Sequence, residues 1–193
     1  MSKPSRRIPS VQRLLSLPLL LASMAAGNAL AADYEQVPGS ALTFASQYQG
    51  EVFVGRFPDF KTTLSFDPAD PAAARLDVVI PLATASTRNP ERDETLLGSD
   101  FFASARFPQA RYTATGFRAL GDDRYAADGT LSLRGISKPV TLTFTWTPGE
   151  RPVLAGKATV KRLDFDVGAG DWADTADLPN EVAVSTKVFF QAK

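Results

Sequence analysis

The sequence predicts an all-β fold, a sandwich or barrel, in one domain spanning 32–193. Three observations predict it. Apolar and polar residues alternate in run after run of strand length, as in strands with one buried face. Turn-forming clusters separate the runs about every dozen residues. The first 31 residues differ in composition from the rest and read as an export segment, so they are set apart from the fold.

That segment has three parts. Lys3, Arg6, Arg7 and Arg13 make a basic start without acidic residues, Leu14 to Ala26 is almost wholly apolar, and Ala29-Leu30-Ala31 is a small-x-small cleavage site. This is the layout of a secretory signal peptide at 1–31, with the mature chain starting at Ala32 and working outside the cytoplasm. A spanning helix needs about 20 apolar residues. This run is shorter and contains Ser16, Pro18 and Ser23, so no stable membrane insertion is expected after cleavage. Four of the 21 basic residues and none of the 21 acidic ones fall in 1–31, which leaves the mature domain at a net charge of −4. A mildly acidic domain has no general attraction for nucleic acid or anionic membranes.

The clearest alternation is at Phe60, Thr62, Leu64 and Phe66, then at Leu76, Val78, Ile80 and Leu82. It returns at Val140, Leu142, Phe144 and Trp146, and at Val182, Val184, Thr186, Val188 and Phe190. Weaker runs lie at 41–48, 51–57, 110–119, 124–134 and 154–162. Asp67-Pro68, Gly121-Asp122-Asp123, Gly135 to Pro139 and Pro148-Gly149 supply turn chemistry between them.

A helical excursion interrupts the strands at about 83–109. Asn89 caps, Pro90 opens, acidic residues follow, and Gly98 is expected to end the helix in the left-handed conformation. Leu96, Leu97, Phe101, Phe102 and Phe107 are too apolar for water, so the excursion is expected to cover one end of the domain as a plug or lid. Residues 163–180 read as an ordered loop.

The chain has no His and no Cys. This excludes a Ser-His-Asp triad, a catalytic thiolate, and zinc or haem held through those residues. Asp164, Asp166, Asp171, Asp174 and Asp177 could suggest calcium or acid–base chemistry, but their spacing matches no EF-hand and fits a solvated loop with Asx-turns. Gly168-Ala169-Gly170 lacks the phosphate-loop pattern, and Ser185 with Lys187 fits a solvent-facing pair. No catalytic residue, metal or cofactor is expected. The mature domain is instead rich in Phe and keeps both Trp. A closed sheet of about eight strands would be just wide enough to be filled by them or to hold one ligand.

Several stretches resemble the YceI-like family. Ser40-Ala41-Leu42-Thr43-Phe44, Gly55-Arg56-Phe57 and Phe66-Asp67-Pro68 match its opening. Leu97 to Phe102, followed by Phe107-Pro108, Ala110 and Tyr112, is similar to its centre. Gly129 to Val140 is similar to its most distinctive run, and Arg162-Leu163-Asp164-Phe165 and Glu181-Val182 complete the match. The chain departs from the pattern at Asn89-Pro90, where many members carry a histidine.

The resemblance implies an eight-stranded, lipocalin-like antiparallel barrel exported to the bacterial periplasm. It also implies a polyisoprenoid ligand such as a quinone tail or prenyl phosphate. The reading is then a non-enzymatic carrier or sequestering protein, with a homodimer left open. Phe44, Phe57, Phe66, Leu76 and Val78 are expected in the wall of the binding cavity, with Ile80, Leu133, Phe144 and Val184. Leu96, Leu97, Phe101 and Phe102 are expected at its gate, and Arg92 and Arg162 beside the ligand head. The rival reading is a filled barrel serving as a stress-response or interaction module. An enzyme working with carboxylates alone is a third.

Overall fold

The computed structural model describes residues 31–193; the predicted signal peptide, Ala31 apart, lies outside the described residues. Among the described residues, nine strands and one α-helix form in chain order. They are β1 (Ala32–Tyr48), β2 (Glu51–Arg56), β3 (Lys61–Phe66), β4 (Arg75–Pro81), α1 (Pro90–Leu97), β5 (Gln109–Gly121), β6 (Arg124–Leu133), β7 (Ile136–Thr147), β8 (Val153–Lys161) and β9 (Glu181–Ala192).

β1 closes the sheet. One of its edges pairs with β9. The other pairs with β3 near its start, Tyr34 opposite Leu64, and with β2 near its end, Phe44 opposite Gly55. β2 and β3 therefore follow one another down the same edge of β1. They are a single strand broken at 57–60, and the nine runs make an eight-stranded closed antiparallel barrel. Pro58, which has no N–H to give a ladder, lies in the break. Gln36 bridges it by donating from Nε2 to the Phe60 carbonyl at 3.0 Å.

Three details differ from expectation. β1 begins nine residues before the weaker run expected at 41–48, because Pro38 and Gly39 are absorbed in a register shift between Val37 and Ala41. Gly98 is extended, with φ −67°, not left-handed, and its N–H closes the helix on the Glu94 and Thr95 carbonyls. The turn at 135–139 is confined to Arg134 and Gly135, both at positive φ, and Ile136 to Pro139 already belong to β7. Pro139 is tolerated there because β8 pairs with β7 only from Thr143 onward.

The helix forms as its first residues dictate. Asn89 Oδ1 accepts from the Arg92 N–H at 3.0 Å, and Pro90 opens the first turn. Asp93 holds α1 to the preceding segment, accepting from the Thr87 N–H at 2.6 Å, Thr87 Oγ1 at 2.7 Å and Ser86 Oγ at 3.0 Å. Ser86 in turn bridges to Arg56 of β2, so the excursion is tied to the wall. The 82–108 connection, the β1–β2 hairpin, the β6–β7 turn and the 162–180 loop gather at one end, the lid end; the opposite end is the floor.

Candidate functional site

The inward side chains change character along the barrel axis. At the floor they are aromatic and interlock. Phe66 meets Tyr125, Trp146 and Phe144 with ring centroids 5.0, 5.2 and 6.2 Å apart, edge to face. Tyr125 stacks on Phe144 at 5.5 Å, and Tyr34 and Phe190 close the same layer against Trp146. Nothing empty remains there: Phe66, Phe144 and Phe190 are each 1% exposed or less.

Toward the lid end the inward side chains become largely aliphatic, with Phe44, Phe53, Phe57 and Tyr112 among them, and enclose a cavity of about 190 Å³. This is an order of magnitude above the ~10–15 Å³ that one water needs. Along β9 it is bordered by Val182, Val184, Thr186 and Val188 in succession, a run of about 20 Å at strand rise. β4 contributes Leu76, Val78 and Ile80; β7 contributes Val140 and Leu142. Phe44 fits because it lies across Gly55, where any side chain would collide with its ring. The lid is made of Leu96, Phe101 and Phe102 from the excursion, joined by Val167 and Leu178 from the 162–180 loop. Arg134 donates to the Phe101 carbonyl, and the Gly168 N–H to the Asp100 carbonyl at 2.7 Å, so lid, turn and loop are stitched together.

The chamber is nearly free of charge. Tyr112 lines it, but its hydroxyl bonds the Ala127 and Val140 carbonyls at 2.8 and 3.1 Å. Burial pushes its pKa up to about 12, so it stays neutral. Among the described residues, Arg162 is the one charged residue on the lining, and it is 3% exposed. All five of its N–H donors are taken by loop carbonyls: Pro179 at 3.1 Å, Val167 at 3.1 Å, Gly168, and Trp172 and Leu178 at 2.7 Å each. Burial holds its pKa below the usual guanidinium range.

Seven of the nine expected wall residues border the chamber: Phe44, Phe57, Leu76, Val78, Ile80, Leu133 and Val184. Phe66 and Phe144 do not; both belong to the floor. Of the gate, Leu96, Phe101 and Phe102 border it, while Leu97 packs against the core without reaching it. The two arginines are placed otherwise than expected. Arg92 is not on the lining; its guanidinium lies 4.6 Å over the ring of Phe53, which is. Arg162 has no donor to offer a head group, because it organises the loop. The sequence reading passed over Leu42, Phe53, Thr62 and Leu142, all inward in register and all on the lining. The five loop aspartates are exposed and none lines the chamber, although Asp171, Asp174 and Asp177 edge an open hollow beside Tyr48 and Trp172. Asp174 makes an Asx-turn to the Ala176 N–H.

The family model for the YceI-like domain matches residues 36–191, the whole barrel but for the first residues of β1 and the last of β9. The chain belongs to the YceI-like family. Among YceI relatives, Protein YceI of Escherichia coli is 34% identical over 166 residues, covering 80% of this chain and 86% of that one. A UPF0312 protein of Pseudomonas savastanoi is 31% identical over 177 residues, with 86% and 92% covered. Among solved structures, BcnA of Burkholderia cenocepacia superposes with a TM-score of 0.75 at 26% identity, over 78% of this chain and 95% of that one. A polyisoprenoid-binding domain from Saccharophagus degradans shares the fold at a TM-score of 0.65 and 18% identity, covering 84% and 99%.

Proposed function

We propose that this protein binds a long apolar chain, a polyisoprenoid such as the tail of a quinone or a prenyl phosphate, inside the barrel. It thereby carries or sequesters that chain in the periplasm without chemically altering it. The observation that carries this reading is the lidded aliphatic chamber, bordered by side chains with almost no polar group to offer. Its driving force is removal of hydrocarbon from water, worth about 0.8 kcal/mol per buried CH₂. The wall is indifferent to which stretch of a repetitive tail it meets, so affinity should grow with chain length until the chamber is full. The fold shared with a domain described as polyisoprenoid-binding points the same way. Export by residues 1–31 would place such a carrier in the aqueous space where an insoluble lipid needs one.

The filled-barrel alternative required interlocking aromatics and no tunnel. The floor answers that description and the chamber does not. Native mass spectrometry of the full chain expressed in a bacterial host and extracted mildly tests the proposal. A lipid adduct of isoprenoid mass on a chain beginning at Ala32 is expected. Repeated preparations without lipid would overturn the carrier reading, and a retained segment 1–31 would overturn the periplasmic one.

A further inference from the structure

Among the described residues, β2 alone is laddered along one edge only, against β1; every other strand has a neighbour on each side. β2 carries on the line of β3, whose other edge holds β4. Because β4 ends at Pro81 and the chain leaves for the excursion, no strand lies beside residues 51–55. The gap is visible in the backbone. The Phe57 N–H donates to the Leu42 carbonyl at 3.0 Å, so odd-numbered residues of β2 bond to β1. Val52, Val54 and Arg56 therefore turn their N–H and C=O groups to the free edge. Arg56 is met there by Ser86, with bonds of 2.9 and 3.0 Å, whereas no backbone group meets Val52 or Val54.

What stands at the gap is α1. Arg92 and Leu96 lie one turn apart on one helix face. Leu96 is buried and lines the chamber. The Arg92 guanidinium lies 4.6 Å over the ring of Phe53, which lines it as well. The helix is pinned near its start, through Asp93 to Ser86 and Thr87, and no hydrogen bond joins it to 51–55. The other margins of the lid end are held by hydrogen bonds. Arg134 and the Gly168 N–H bond the lid, and the Gln49 N–H donates to the Asp177 carbonyl at 2.9 Å between hairpin and loop. The seam between β2 and α1 is thus the one margin closed by side chains alone. Its outer side is apolar: Val52 and Val54, 68% and 58% exposed, stand on the outward face of the same strand.

We propose that this seam is the doorway of the chamber, with Phe53 as the side chain that swings aside and Arg92 as its latch. This rests on the reading of the barrel as a lipid carrier and deepens it: the ligand passes sideways between β2 and α1, and one cation–ring contact sets how fast.

Kinetics separate a latch from a wall. A contact broken to open the door and remade behind the ligand slows entry and exit alike and leaves Kd unchanged, whereas a wall contact acts on Kd through release. Stopped-flow tryptophan fluorescence follows uptake of farnesol and its release into excess phosphatidylcholine vesicles. Arg92→Met, which keeps an apolar stem and removes the charge, should speed both by about two- to fivefold with Kd held within about twofold. Phe53→Leu should also speed both, and adding Arg92→Met to it should gain nothing further, because ring and charge form one contact. Thermal melts confirm that the variants are folded. Farnesol binding with rates unmoved by Arg92→Met overturns the doorway and leaves the carrier reading standing. So does independent acceleration by the two substitutions, or a change in Kd with association unaltered in Arg92→Met. A larger acceleration in Arg134→Gln than in Arg92→Met would put the doorway on the β6–β7 side and overturns it too. Failure to take up farnesol at all overturns the doorway and the carrier reading together.

Discussion

Along β7, Val140 and Leu142 border empty space, whereas the next two inward residues, Phe144 and Trp146, are sealed among other rings. β9 repeats the change from Val188 to Phe190, and β3 from Thr62 to Leu64 and Phe66. The two halves of the barrel share backbone, ladder and alternation. They differ in how far each side chain reaches toward the axis. An eight-stranded interior is wide enough that valines and leucines from opposite walls do not meet, while phenylalanine and tryptophan do. Side-chain length thus divides one barrel into a filled half and a hollow half.

That division can be broken from either side. Truncating Phe66 to Ala removes a ring held on three sides and should cost about 3–5 kcal/mol in urea unfolding. Val184→Ala in the chamber, where part of the surroundings is already empty, should cost only about 1 kcal/mol. Equal losses at the two sites would mean that the halves are packed alike. Enlargement should show the opposite contrast. Ala114→Phe, buried at the floor side of β5, should overpack and cost about 1–3 kcal/mol. Ala158→Phe, on the chamber lining, should leave stability nearly unchanged and abolish the lipid adduct in native mass spectra.

The smallest expected effect concerns the lid. Burial alone would raise the Asp93 pKa, but hydrogen bonds from Thr87 and Ser86 and the Arg92 charge more than reverse this and hold it below the usual carboxylate value. A depressed carboxylate stabilises the fold above its unfolded pKa, and that contribution is lost as pH falls through the lower folded value. Lipid release should therefore quicken modestly below about pH 4, and Asp93→Asn should flatten that part of the profile. Floor stability, read from the near-ultraviolet signal of Trp146, should not follow the Asp93→Asn change.

Much of this architecture is legible in the residues. Each alternating run became a strand, and Asn89-Pro90 fixed the start of α1, because both signals are local. What the residues conceal is height. Period two says that Phe66 and Phe144 point inward, but not that they lie below the chamber, since depth depends on strand tilt and stagger around the closed sheet. The same limit hid the sharing of one β1 edge by β2 and β3, which only register reveals. Arg162 misled for another reason. A lone basic residue near an apolar mouth suggests a ligand contact, yet five carbonyls scattered over Val167 to Pro179 consume it, and no sequence spacing announces carbonyl directions. Thr62 stood in the inward series throughout, but only the fold shows that it borders the chamber with its hydroxyl unpartnered.

The aromatic floor has a consequence for traffic. A vessel sealed at its base has a single doorway, so whatever enters must back out along the path it took, and one occupant must depart before another is admitted. Such a vessel cannot pump or conduct. Under the proposed carrier reading it would equilibrate with whichever surface it last faced, and any net flow would be set by the donor and the acceptor.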